Sequence, residues 1–289
     1  MVELLFVAFA YPMKGAAAVP HVRKSKLVEE RMRIYADYLV ADPAALRGRW
    51  RQRFGRPGAK LHVDLGCGKG LWISRVARAV PGDVYVGIDN DRTCVSFALE
   101  RVGSACADNA AVVFDEARSL RELFAPSEID VLHVNFPTPF PRKKEALNRV
   151  TSSARLMEYR DLLAEGGALQ LKTDSQPLFD FTLEQLERAG YAVDRLTRDL
   201  RAGGFAATSE DLIASAYEEK LTAKGARVLA LHARPAAAPA EFFPEEPVGL
   251  AQYLPEDLDS IDYAPHGMED TVANLRNRKR NAAARSERA

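Results

Sequence analysis

Between residues 60 and 174 the chain alternates short apolar runs with longer amphipathic stretches. The runs "LHVDL", "VYVGID", "AVVF", "IDVLHV" and "ALQLKTD" are too short for helices and dense in Val, Leu and Ile, so they read as buried strands. Between them, "LWISRVARAV", "TCVSFALERV", "SLRELF" and "SARLMEYRDLL" space their apolar residues as helices do. Such alternation predicts a mostly parallel sheet with helices on both faces. "PLFDFTLEQLERAG" adds a helix that stops at Gly190, and "YAVDRLTRDL" and "ARVLALHA" add two strands. The expected whole is an α/β, Rossmann-like, seven-stranded sheet with an antiparallel C-terminal strand. Upstream, "HVRKSKLVEERMRIYADYLV" reads as an amphipathic helix led by basic residues. "DPAALRGRWRQRF" offers Asp42 as a helix cap with Pro43 at the first helical position.

The ends differ in character. Residues 1–22 begin "MVELLFVAFAYP", apolar but without a basic leading region and too short to span a bilayer, and read as a poorly ordered leader. Residues 23–233 read as one domain with an N-terminal basic, helical arm. Residues 234–289, Pro-rich and acidic and then basic ("LRNRKRNAAARSERA"), show no convincing buried face and are expected to be disordered.

Composition narrows the picture little. Forty basic and forty acidic residues cancel, so net charge predicts no polyanionic partner. Cys67, Cys94 and Cys106 are odd in number and lack metal-ligand spacing, which fits a reduced, cytoplasmic protein with no disulfide framework and no metal. No run reaches transmembrane length, so no membrane association is expected.

The chemistry starts at "VDLGCGKG", between the first strand and the first helix of the alternation, where α/β sheets bind nucleotides. Gly66, Gly68 and Gly70 do not make the G-x-G-x-x-G of a dinucleotide site, whose third glycine would fall at Leu71. The loop also lacks the G-K-[ST] of a phosphate loop. Asp64, just before it, would repel a phosphate and suits the zwitterionic end of S-adenosylmethionine. Asp89 ends the second strand, nineteen residues after Gly70, where a carboxylate accepts ribose hydroxyls. Glu116, after the third strand, is placed to approach an adenine. Together these describe a methyl-donor site rather than a coenzyme with a pyrophosphate.

The fourth strand of such a sheet ends facing the reactive methyl, and here it runs into "NFPTPFPRKKEALNR" (Asn135 to Arg149). Proline removes backbone donors and fixes φ, so the sheet cannot continue. One reading is an amine clamp of the N-P-P-[FYW] type, although Phe136 follows Asn135. The other is a ramp of cations facing RNA phosphates: Arg142, Lys143, Lys144 and Arg149. Two further segments, "LQLKTD" ending at Asp174 and "SAYEEKLTAKG" (Ser215 to Gly225), join the basic loop in a pattern. Together they resemble the bacterial tRNA (guanine-N7)-methyltransferase family, whose motifs are N-F-x-D-P-W-P-K-K-R-H, K-T-D and T-x-Y-E-E-K-F. "DPAALRGRW" and "LFDFTLEQL" also look like that family, and the resemblance spans roughly residues 23 to 233.

It implies an S-adenosylmethionine-dependent enzyme forming 7-methylguanosine at the variable-loop guanine (position 46 in tRNA numbering), monomeric or homodimeric. Asp64, Gly66, Gly68, Gly70, Asp89, Glu116 and Thr138 match cofactor positions. Asp174 and Thr138 are expected to be the catalytic residues. Arg142, Asp174, Ser215, Ala216, Tyr217 and Glu218 match substrate positions, with Asp174 and Glu218 expected to hold the guanine edge and Phe140 or Tyr217 to stack on it. Lys143, Lys144, Arg149, Arg23 and Lys24 are expected on the RNA. The chain departs from the family where its Asp is Thr138, its Trp is Phe140, its His is Glu145 and its following Arg is Asn148. A same-fold methyltransferase acting on an amine, or an RNA-binding protein without catalysis, are the alternative functions these departures leave open.

Overall fold

In the computed structural model, which describes residues 21–115, 120–244, 246–265 and 267–286, each apolar run is a strand. They are β1 (Leu61–Leu65), β2 (Val84–Asp89), β3 (Ala110–Phe114), β4 (Ile129–Asn135), β5 (Leu163–Thr173), β6 (Tyr191–Thr197) and β7 (Leu229–Pro235). The sheet order is β3-β2-β1-β4-β5-β7-β6. β7 runs antiparallel to β5 and β6, and the remaining pairings are parallel. The direction of strand progression therefore reverses between β1 and β4, the point at which open α/β sheets leave a crevice beyond the strands' carboxyl ends.

Side-chain alternation divides the core. Val84, Val86 and Ile88 enter one apolar layer with Leu156 and Tyr159 of α6 (Ser153–Leu162) and Phe179 and Leu186 of α7 (Gln176–Arg188). Tyr85, between them, enters the other with Ile73 and Val76 of α3 (Leu71–Ala79) and Val95 and Leu99 of α4 (Arg92–Ser104). Both faces are thus covered, as a parallel sheet requires.

The N-terminal helix ends sooner than its periodicity predicts. α1 (His21–Ile34) gives way to a tight turn at Ala36–Tyr38, and Leu39 then bridges Val112 at the edge of β3. Asp42 does cap, accepting from the Ala45 amide at 3.1 Å. The turn it starts breaks at Gly48, where φ is 75°, before α2 (Trp50–Arg53) begins.

The C-terminal expectation is corrected. Residues 246–265 and 267–286 do not lie free in the described structure. Leu250 and Met268 are fully buried with Leu178 and Phe181 of α7, Leu258 and Val272 are buried nearby, and α10 (Glu269–Ser286) follows. Arg276 ties the segment together by donating to the Leu258 and Ile261 carbonyls at 2.7 and 2.8 Å. These apolar residues are single and irregularly spaced among prolines and acids, so no period marks their face. Residues 1–20 lie outside the described residues.

Candidate functional site

The turn from β1 into α3 is forced by close packing. Gly66, Gly68 and Gly70 all have positive φ, at 78°, 55° and 72°. A Cβ on Gly70 would sit 2.5 Å from the Ala98 backbone of α4, so only glycine lets the two helices approach here. The loop is pinned to β2, with Gly66 and Cys67 donating to the Ile88 carbonyl at 2.9 and 3.0 Å. Gly68 donates to the Asp89 carboxylate at 2.8 Å. Asp89 takes the Asp91 amide on its other oxygen, and burial raises its pKa.

Beyond this loop lies a cavity of about 410 Å³, lined among others by Gly66, Asp89, Asn90, Asp115 and Thr138, with apolar surface from Ile88 and Val150. Its size suits a nucleoside-sized ligand. Arg155, on its wall, is ion-paired to Glu158 at 2.9 Å. Two carboxylates and a paired cation suit ribose hydroxyls and an adenine amine, and disfavour phosphate. The residues therefore fit S-adenosylmethionine. Glu116 lies outside the described residues.

Asp64 sits elsewhere than expected. It is 3% exposed, does not line that cavity, and accepts from Asn135 Nδ2 at 3.1 Å. Burial pushes its carboxyl up to about 7, against the opposing pull of the Asn135 hydrogen bond and the Lys172 ammonium. Asn135 is thereby engaged inside the site rather than presented as an amine clamp.

The proline loop is held in a strained shape. Phe136 and Phe140 have φ of 52° and 46°, costly for bulky residues, so the surroundings must impose it. The Phe136 amide donates to the Lys172 carbonyl at 2.7 Å. Arg149 grips the far end, its Nε and Nη2 donating to the Phe140 carbonyl at 3.1 and 2.8 Å. Arg149 is 1% exposed, with its guanidinium over the Phe181 ring. The expectation of an RNA contact there is corrected: this arginine faces inward because its fork is the loop's brace. Arg142, Lys143 and Lys144 are exposed, with Arg142 Nε 3.3 Å from Glu145. Arg23 and Lys24 fall on α1, and their side chains lie outside the described residues.

At the ends of β5 and β7 a buried ionic cluster organises the Ser215 to Glu218 segment. Ser215 caps α9 (Ala216–Thr222), accepting from the Glu218 amide at 3.0 Å. Glu218 is fully buried, paired with Lys172 at 2.9 Å and with Arg201. Lys172 also donates to the Asp211 and Ile213 carbonyls. Burial lowers its pKa while Glu218 opposes that shift. The expected guanine grip by Glu218 is therefore corrected: a carboxylate fully out of water and holding two cations has no access to a base. Tyr217, beside it, meets the Phe136 ring edge-on.

Asp174 differs. The cap of α7 falls to Ser175, whose hydroxyl accepts from Leu178, so Asp174 is spared that task. It is 8% exposed, accepts from the Tyr263 hydroxyl at 2.9 Å, and lines a second cavity of about 450 Å³. Sequence reasoning did not single out Lys172 or Tyr263, and it gave Arg149 a different role. For Lys172 a signal existed, since a cation inside an apolar strand needs a buried partner. Among the described residues no group of three or more His, Cys, Asp or Glu could hold a metal ion, and no helix is long and apolar enough to cross a membrane.

A glycine loop and an acid-lined cleft at the switch point of this sheet define a Rossmann-like methyltransferase of the class I type. The sequence comparisons agree. Residues 58–231 match a family model described as "Putative methyltransferase". The tRNA (guanine-N(7)-)-methyltransferase of Streptococcus sanguinis (strain SK36) is 33% identical over 204 residues, covering 71% of this chain and 94% of that protein. That of Enterococcus faecalis (strain ATCC 700802 / V583) is 32% identical over 213 residues, 74% of this chain and 97% of that protein. A solved structure titled "Structure of an Antibiotic Related Methyltransferase" superposes with a TM-score of 0.49 at 17% identity, over 65% of this chain and 94% of that one. The chain belongs to the tRNA (guanine-N(7)-)-methyltransferase family.

Two outcomes test the site's electrostatics. Glu218→Gln should destabilise the fold by about 3 kcal/mol, because it leaves Lys172 buried without its counter-charge; equilibrium denaturation measures this, and an unchanged midpoint would remove the structural role. Asp64 has a native pKa above the ordinary carboxylate value, so the folded state keeps a proton that the unfolded chain releases between about 4 and 7. Its contribution to stability therefore falls as pH rises through that window. Asp64→Asn should be more stable than the parent at pH 7.5, by on the order of 1 kcal/mol or more, with the gain shrinking toward pH 4. A gain that is equal at both pH values would contradict the raised pKa.

Proposed function

We propose that this chain transfers the methyl group of S-adenosylmethionine to N7 of a guanine in tRNA, at the variable-loop position 46, in the cytoplasm. The observation that carries the reading is the proline loop between β4 and the Lys143–Asn148 turn. Its residues Phe136, Pro137, Thr138 and Phe140 help wall the acid-lined cavity, and the same loop is tied through the Lys172 carbonyl to β5, the strand that Asp174 follows. Methyl donor and base would thus meet at one rigid element.

Asp89 and Asp115 would hold the ribose and adenine of the donor, with the Gly66 to Gly70 loop toward its amino-acid end, while Asp64 stays outside the cavity on Asn135. When bound, the donor supplies an electrophilic methyl group on a sulfonium. Guanine N7 carries an in-plane lone pair and no proton, so the protein needs no general base. Its task is to orient the base, which is catalysis by proximity. Asp174 would accept from guanine N1–H and the exocyclic amine, the donors of that edge. Stacking on Tyr217 or Phe140 would add about 1–3 kcal/mol. The exposed Arg142, Lys143 and Lys144, with Arg23 and Lys24 on α1, would track the phosphates. Thr138, at the cavity wall, carries no titratable group, and the reaction demands none there.

Methyl transfer from labelled donor to tRNA, with the product mapped by chemical cleavage at 7-methylguanosine, tests the whole reading. Asp174→Ala should lower kcat/KM at least 100-fold while calorimetry finds donor binding unchanged; wild-type rates in that variant refute the guanine-grip role. Arg142→Ala with Lys143→Ala should flatten the dependence of log K on log salt by about 1–2. An unchanged slope means that the loop does not meet phosphates.

A further inference from the structure

The cavity beside Asp174 has two walls of different origin. One is the domain itself: Asp174, Gln176, Arg198, Arg227 and Leu229. The other is the C-terminal segment: Leu254, Pro255, Ser260, Ile261, Asp262, Tyr263 and Pro265. That second wall lies beyond residue 231, where the match to the family model ends. The relatives are matched over 94 to 97% of their lengths by 71 to 74% of this chain, so the chain carries sequence they lack.

This wall is docked, not draped. Leu250 and Met268 are buried against α7, and the Leu250 amide donates to the Pro141 carbonyl at 2.9 Å. Gly267 lies so close to the proline loop that a Cβ there would sit 3.2 Å from Pro139. Between these anchors Tyr263 reaches the Asp174 carboxylate. The segment leaves about 450 Å³ open beside that carboxylate, so it borders the site without filling it.

We propose that the C-terminal extension is part of the substrate site, and that Tyr263 is a specificity-determining residue for the base. The inference rests on the tRNA reading above. The Tyr263 hydroxyl on Oδ2 orients Asp174, and a carboxylate, with room for about four hydrogen bonds, can take such a contact together with a base edge carrying two donors. The tyrosine ring adds a face beside it. Arg227, exposed and with no ion pair among the described residues, stands on the opposite wall where a nucleotide's phosphate would lie. The chemistry fits a guanine nucleotide entering edge-first. It also meets a need, because the Asp, His and Arg that the family places in its proline loop are Thr138, Glu145 and Asn148 here.

The test compares full-length wild type, Tyr263→Phe and Tyr263→Ala on tRNA transcripts with guanosine or inosine at the methylated position, inosine lacking the exocyclic amine. Loss of the hydroxyl should raise the KM for the guanosine transcript about five- to tenfold. It should also shrink the guanosine-to-inosine ratio of kcat/KM at least about threefold, since a misaligned Asp174 reads the amine less well. Donor affinity and, for Tyr263→Phe, the thermal midpoint should stay as in wild type. A KM and a ratio both within twofold of wild type in the two variants overturn the inference. So does a faster variant, which would make the contact an inhibitory one. A wild type that leaves the guanosine transcript unmethylated instead sinks the tRNA reading itself.

Discussion

One buried ammonium holds the working end of this molecule together. Lys172 sits near the end of β5, and its side chain binds the Glu218 carboxylate and the carbonyls of Asp211 and Ile213. Its main-chain carbonyl receives the Phe136 amide. Its charge also pulls against the burial that raises Asp64. Three parts of the site therefore share one anchor: the proline loop, the capped helix after Ser215, and the acid beneath the glycine loop. An ion pair buried this deeply gains little net stability over an apolar replacement of the same shape. What it does supply is a fixed register between segments far apart in the chain.

Strain is tolerated where that register is enforced. Two phenylalanines with left-handed backbones bracket a loop of prolines that cannot hydrogen-bond its way into the sheet. The loop keeps its shape because both ends are clamped: the Lys172 carbonyl at Phe136, and the Arg149 fork on the Phe140 carbonyl. The chain that seemed, by its charges, to offer Arg149 to a partner instead spends that guanidinium on its own backbone. The remaining cations, Arg142, Lys143 and Lys144, stay at the surface, and Glu145 partly neutralises the first.

The strands and their order were readable because each is a short apolar run between helical patterns, a signal local in sequence. The glycine loop was readable for the same reason, since its residues and Asp89 lie within one β-α-β unit. Side-chain direction was not. Asp174 and Glu218 look alike as acids near element ends, yet one borders a cavity and the other is sealed between two cations. That difference is set by Lys172 and Arg201, partners 46 and 17 residues away. The C-terminal segment escaped notice for a related reason. Leu250 and Met268 find their partners only when folded against α7, and Leu258 and Val272 are buried only in that fold, so composition alone suggested disorder.

The departures from the family pattern fall on particular ground. Thr138 is exposed at the cavity wall, Asn148 is exposed beside it, and Glu145 closes a turn with Arg142. None belongs to the buried frame of Lys172, Glu218, Arg149, Asn135 and Asp64. A reaction that needed a proton moved at a fixed atom would be sensitive to losing an acid or a histidine from the lining. Attack by guanine N7 moves no proton, and its rate depends on how firmly base and methyl donor are aimed at each other. On the function proposed above, this buried frame would do the aiming, so changes at the lining would alter which base is held and how tightly more than whether the transfer can occur.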